Sequence, residues 1–355
     1  MKPLSEPTLP ALSLRMYDPE QVYAERIAQR QLAYLDNNVW IELRDARTAA
    51  ATACRDACFA AVAAGKALFP LAFPSITEAI EIEDVATKLR HCTLLDELSS
   101  GVTFRSPAIL LKLEAWRASE WFFLGDERPL ERTQVFTSVP DHLGEGTLSF
   151  PAGWTLSMLR KLADDMASDP RMRSVRFIAE QGDWKQRHTA FRASYVDKME
   201  ALRARQRTRP KLPKQQAFAR ALLDERVALI TSYLLEGGAE HLFSILGPEK
   251  AASRISEVLA AKGAGGPERI HEICKRMPIL DQHARLMAHD TLESNRKPQP
   301  QDFFDIDHAT APPVYADAFV TFDRRLAWLV RSANRGGAKL LTSFNELIGW
   351  LEALR

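Results

Sequence analysis

The sequence is poor in the features that would settle its class at once. Four cysteines, at positions 54, 58, 92 and 274, show no Cys-x-x-Cys spacing; they are too few for a disulfide framework in a chain this size and read as buried, reduced thiols. No run approaches the roughly eighteen apolar residues of a membrane-spanning helix, and the opening Met-Lys-Pro-Leu-Ser-Glu-Pro lacks the basic-then-apolar pattern of a secretory signal. A soluble, cytoplasmic protein without a membrane partner is therefore expected. Charge of one sign is missing too: 47 Lys and Arg balance 46 Asp and Glu, for a net charge of +1. Any case for nucleic-acid binding must come from local clusters. There is no Gly-rich phosphate loop, internal repeat or long low-complexity tract.

What is present is apolar patterning. With 46% hydrophobic and 26% charged residues in 355 positions, the chain can bury a full core and is long for one ordinary domain. Residues 1–29 read as a proline-containing leader and a short helix from Val22. Gln31–Asp36 is a short apolar run ending in a carboxylate, the pattern of a buried parallel strand. A helix is expected from about Arg44 to Ala64, ended by Gly65, then a strand over Ala67–Phe73 with Pro70 inside it. A further helix follows over Ile76 to Leu98, with Ser75 and Glu78 at capping-box spacing. This strand–helix rhythm implies right-handed crossovers and an α/β layer structure. From Trp116 to Lys297 it gives way to polar loops such as Thr137–Pro151 and helical stretches at Leu156–Met166, His188–Arg207 and Gln215–Leu235. It resumes with a helix from Asp302, strands Ala318–Phe322 and Lys339–Thr342, and helices from Arg324 and Phe344. The predicted organisation is one α/β domain, residues 30–115 and 298–355, split by a mainly helical insertion at 116–297.

In an open parallel sheet ligands bind outside the carboxyl ends of the strands. Asp36 ends the first strand, Glu78 lies in the first turn after the second, Asp323 follows the strand Ala318–Phe322, and Asp305 opens the helix that leads away from that edge. Asp317 begins the strand that Asp323 follows, so about 20 Å of strand puts it at the wrong end, and Asp307 points to another helix face than Asp305. Four like charges at one edge repel and raise one another's pKa unless a cation compensates them. Hard ions such as Mg²⁺ or Mn²⁺ suit carboxylate oxygens and also bind phosphate, which makes phosphodiester hydrolysis the natural reaction.

The residues also resemble a known family. Tyr34-Leu-Asp-Asn-Asn-Val-Trp-Ile41 is similar to the opening strand and Asp-x-Asn signature of PIN-domain proteins. Asp305-Ile-Asp-His-Ala309, followed by Tyr315-Ala-Asp-Ala-Phe-Val-Thr-Phe-Asp-Arg-Arg-Leu326, resembles the PIN-like stretch in which an acidic helix start leads into a strand ending Thr-x-Asp. The resemblance implies a small Rossmann-like parallel sheet flanked by helices. It also implies an Mg²⁺ or Mn²⁺ site made by Asp36, Glu78, Asp305 and Asp323, with Asn38 as polar companion of the first acid. It covers residues 30–115 and 300–355; Asn37 stands where the family has a small hydroxyl residue, and the insertion is foreign to its short members.

Each acid also has a plain structural reading: a turn for Asp36, helix N-terminal acids for Glu78 and Asp305, a helix cap for Asp323. His308, without a partner at ligand spacing, reads as a hydrogen-bonded structural residue, and the Cys54/Cys58 and His271/Cys274 pairs read as packing. The stretch 203–220 carries Arg203, Arg205, Arg207, Arg209, Lys211 and Lys214 with a further arginine at its end and no acid. It is either a solvated loop or a grip on a phosphate backbone, a role Arg324 and Arg325 can share. The reading is a metal-dependent endonuclease acting on RNA rather than DNA. The alternatives are a DNA-directed nuclease, a catalytically inactive nucleic-acid or protein scaffold, and an unrelated phosphate-transferring α/β enzyme. The insertion is a candidate surface for a second copy of the chain or a protein partner.

Overall fold

The structure, a computed structural model, describes residues 27–138, 175, 184–262, 267–293, 297–333 and 337–354. The helix expected at Leu156–Met166 lies outside them, as does most of the leader. The protein is mostly helical around a small four-stranded parallel sheet, and so is broadly α/β. Strands β1 (Gln31–Leu35), β2 (Ala67–Leu68), β5 (Ala318–Val320) and β6 (Lys339–Leu341) lie in the order β2-β1-β5-β6. A second, antiparallel pair, β3 (Val102–Phe104) with β4 (Phe136–Ser138), was not legible as strands; it touches the region after β2 through a Leu71–Thr103 bridge. No helix among the described residues is long and apolar enough to cross a membrane.

The first α/β segment differs from expectation in ways that matter for the site. The helix expected over 44–64 is two: α1 (Asn37–Asp45) and α2 (Ala49–Ala63). Ala46 stops the first in a left-handed conformation, and the Thr48 hydroxyl caps the second at the Ala51 N–H. Gly65 ends α2 at φ +67°, as its glycine allows. β2 is cut short ahead of Pro70, which has no N–H to give a ladder. Helix α3 (Phe73–Glu81) then starts earlier than predicted, with Pro74 in its first turn. Ser75 is consequently not an N-cap, and Glu78 sits in the second turn rather than the first. The hydroxyl of Ser75 instead meets that of Tyr34 at 3.2 Å, buried. A separate α4 (Val85–Ser99) begins at Asp84, whose carboxylate caps Thr87.

Helices α5 (Pro107–Ser119), α6 (Arg132–Val135), α7 (Trp184–Thr208), α8 (Lys214–Leu229), α9 (Gly238–Leu246), α10 (Pro248–Lys262), α11 (Pro267–Arg276) and α12 (Pro278–Leu292) follow; α5 and α8 each run on into a π-helical turn. Then come α13 (Asp302–Thr310), the short α14 (Pro312–Tyr315), α15 (Arg324–Ala333) and α16 (Phe344–Glu352). One face of the sheet shares its core with the long helices: Leu32, Tyr34 and Phe319 pack in one cluster with Met199, Ile230 and Leu286. The other face buries Ala33, Leu35 and Val320 with Trp40, Cys54, Cys58 and Leu347. All four cysteines are buried and none is in a disulfide.

Candidate functional site

The sheet order reverses between β1 and β5: from β1 the chain first goes outward to β2, then returns to the other side through β5 and β6. A crevice forms outside the carboxyl ends of strands at such a point. Asp36 follows β1 and Asp323 stands three residues beyond β5. Asp36 occupies the N-cap position of α1, yet its side chain makes no capping bond. Its Oδ2 accepts from the Thr321 hydroxyl at 2.8 Å, and that hydroxyl accepts from the Asp323 N–H at 3.1 Å. One threonine thus ties the Asp36 carboxylate to the Asp323 backbone. The Asp323 carboxylate turns to its own helix and caps Leu326 N–H at 2.8 Å; its capping role is real.

His308, set aside in the sequence, stands at the centre. Its Nε2 lies 3.4 Å from Glu78 Oε2 and 3.9 Å from Asp36 Oδ1, while Nδ1 shares a hydrogen bond with the Tyr34 hydroxyl. The imidazole is 2% exposed, so desolvation opposes its charge. Burial pushes its pKa down, but Glu78, Asp36 and Asp305 outweigh that and hold it above the ordinary value. Burial raises the Asp36 carboxyl against the pull of His308 and Thr321. Glu78 Oε1 accepts from the Gln301 amide at 3.0 Å, whereas Oε2 is buried without a hydrogen bond. Only spatial proximity could have exposed His308: it sits three residues past Asp305, with no ligand-spaced partner in sequence.

Asp305 belongs to a second set. Arg325 binds its carboxylate and reaches Asp290 at 2.9 Å, Asp302 at 3.3 Å and Glu293 at 3.5 Å. Burial pushes the Asp305 carboxyl up to about 6 despite the guanidinium. Asp290, fully buried, also accepts from the Tyr195 hydroxyl at 3.0 Å and pairs with Arg203 at 3.3 Å. One expectation is corrected here. Arg203 is 3% exposed and locked to Asp290, so it cannot reach a nucleic-acid backbone. Arg325 pairs with four acids as a strut of the site and also lines the cleft beside it. Arg205, Arg207, Lys211 and Lys214 are exposed, and Arg209 pairs with Asp224 on the surface. Asp317 is at the far end of β5, accepting from Leu32 N–H and Arg132, both at 2.7 Å.

Asn38, Glu42, Phe322, Asp323, Arg324 and Arg325, with Ile41 and Phe344, line an open cleft of about 550 Å³ beside these acids. Its lining mixes the apolar Ile41, Phe322 and Phe344 with two acids, two arginines and an amide. The fit to a divalent cation is divided. Carboxylate oxygens are the right donors, but the buried Glu78 Oε2 already faces His308 Nε2 at 3.4 Å. Among the described residues, however, no three His, Cys, Asp or Glu side chains are arranged to hold a metal ion. The cause is visible: His308 stands between Asp36 and Glu78, Arg325 occupies Asp305, and Asp323 caps α15.

Comparison with protein-family models, with curated proteins and with solved structures gives no match to this chain.

Proposed function

We propose that the chain is a metal-dependent endonuclease of the PIN-like type, hydrolysing phosphodiester bonds in RNA. The observation that carries this reading is that Asp36 and Asp323 stand at the carboxyl ends of β1 and β5, with Thr321 bonded to the Asp36 carboxylate and to the Asp323 backbone N–H, where the strand order reverses. Asp36 and Glu78 would hold Mg²⁺ or Mn²⁺, with Asp305 and Asp323 on the same rim. When bound, such an ion activates water and stabilises the leaving oxygen of an in-line displacement. The chain's own residues do the positioning: Thr321 fixes Asp36, Gln301 fixes Glu78, and Tyr34 fixes the ring of His308. Arg324, exposed beside Asp323 in the cleft, offers a cation to a phosphate, and Asn38, which also lines the cleft, offers an amide.

The test is to incubate the protein and its Asp36→Asn variant with labelled single-stranded RNA and DNA, in Mn²⁺, Mg²⁺ or EDTA. Metal-dependent cutting that the variant loses is the expected result, and the preferred strand decides between RNA and DNA. Cutting by a folded Asp36→Asn variant at the wild-type rate would overturn the assignment. A second reading, a nucleic-acid-binding scaffold without catalysis, draws support from the internal pairing of the acids with His308 and Arg325. Binding without cutting under any condition would select it.

A further inference from the structure

Helix α15 leaves the candidate site at Asp323, and its exposed face carries Arg324, Trp328 and Arg331. These positions are spaced i, i+4, i+7 and therefore form one stripe, rising about 6 and 10 Å from the first. The intervening Leu326, Ala327, Leu329 and Val330 are buried. Trp328 is 42% exposed. It does not stand alone: its ring meets His289 of α12 edge-on at 5.4 Å, and His289 meets Phe218 of α8 at 4.4 Å. Burial pushes the His289 imidazole down, against a backbone hydrogen bond at Ser332 and with the charges of Arg285 and Lys214, which favours the neutral ring. Lys214 opens α8 at the end of the basic tract. An aromatic row thus joins the acidic edge to the exposed cations of that tract.

We propose that this stripe is the track of a single nucleic-acid strand: an unpaired base stacks on Trp328, and the flanking phosphates are held by Arg324, Arg331 and Lys214. Single exposed aromatics are ordinary; the argument for a ligand is the alternation of an exposed ring with cations on one helix face. That is how sequence-tolerant single-strand sites are built, from a stacking platform and a basic groove. Among the described residues neither Arg324 nor Arg331 makes an ion pair, so both charges are available to phosphate. The polarity of the arrangement also fits, since the stripe starts beside Asp323 and delivers the strand to the cleft. The proposal rests on the nucleic-acid reading of the site and names its substrate class, an unpaired strand.

The experiment measures binding in EDTA, where no metal-dependent cutting occurs, by fluorescence anisotropy with a labelled oligonucleotide about a dozen nucleotides long. Trp328→Ala should weaken binding of the single strand by about fivefold to a hundredfold, with Trp328→Phe retaining most of it. A strand with abasic positions should bind the unaltered protein more weakly than the intact strand, a readout that needs no variant. Arg331→Ala should lower the slope of log affinity against log salt by about 0.7. Unchanged binding in Trp328→Ala, or equal binding of intact and abasic strands, would overturn the track. No strand binding at all would also overturn it and mark Trp328 as a protein contact. Failure here is separable from failure of the nuclease reading, which the Asp36→Asn cleavage assay judges alone.

Discussion

On one side of the acidic edge Asp36 and Glu78 face the imidazole of His308; on the other Asp305, Asp302, Asp290 and Glu293 converge on the guanidinium of Arg325, with Arg203 beyond. The two counter-ions differ in kind. An imidazole can give up its proton near neutral pH, and its Nε2 can then face an incoming cation as a neutral donor. A guanidinium stays charged at any working pH and holds planar, forked contacts. The His308 side is therefore exchangeable and the Arg325 side is fixed. The fixed side also ties α7, α12, α13 and α15 together, which anchors the long helices to the carboxyl edge of the sheet.

The comparison is broken most severely at Asp290, which is fully buried between Arg203 and Arg325. Asp290→Asn removes the charge that both cations share, and leaving buried charge uncompensated costs about 3–5 kcal/mol. Urea denaturation reads this directly. A loss under about 1 kcal/mol, the range of exposed pairs, would mean that Arg325 is held well enough by its other acids and that the network is no strut.

His308→Gln sharpens the same contrast with a smaller effect. The His308 pKa is raised in the fold, so its contribution is complete below the unfolded value of about 6.5 and is lost as pH rises through the folded value. Wild-type stability should therefore fall more steeply than that of His308→Gln above pH 6.5. The buried carboxyl of Glu114, pushed up by burial to about 8, slopes the same way in both proteins and cancels in the difference, whereas that of Asp307, raised by burial to about 7 and pulled down by His308, moves further up in the variant. Mn²⁺ should stabilise His308→Gln more than the wild type, because the variant leaves Asp36 and Glu78 without their resident cation. Parallel pH profiles and equal metal effects would place the charge of His308 elsewhere.

These contrasts separate what sequence could and could not supply. The strands after which the acids stand were legible, because Leu32–Leu35 and Ala318–Val320 are short apolar runs bounded by polar residues, and β1, β5 and β6 lie where that pattern put them. The edge was legible for the same reason: carboxyl ends of parallel strands share a side. Partner choice was not. Nothing in the spacing tells that Arg203, within a run of surface cations, turns inward to Asp290, since one helical turn decides it. His308 was passed over because its partners are 230 and 272 positions away, at Glu78 and Asp36. Ser75 looked like a cap because Pro70 and Pro74 shift the helix start by a few residues, and that shift moves its hydroxyl onto Tyr34.

The smallest effect is expected in the basic tract, where the contrast of fixed and available cations recurs along a few turns of chain. Lys211 lies exposed between α7 and α8, whereas Arg203, two turns earlier on α7, is locked to Asp290. An exposed side chain away from caps and cores contributes within about 0.5 kcal/mol to stability, so Lys211→Ala should leave the denaturation midpoint nearly unchanged. Its charge should appear instead in binding: the salt slope for a single strand should drop by about 0.7, the loss of one phosphate contact. Arg203→Ala should do the reverse, lowering stability by removing one of the two cations from the buried Asp290 carboxylate while leaving the slope per bound strand intact. A Lys211→Ala variant with an unaltered salt slope would reduce the tract to a solvated face, and the strand path along α15 would then have to end at Lys214.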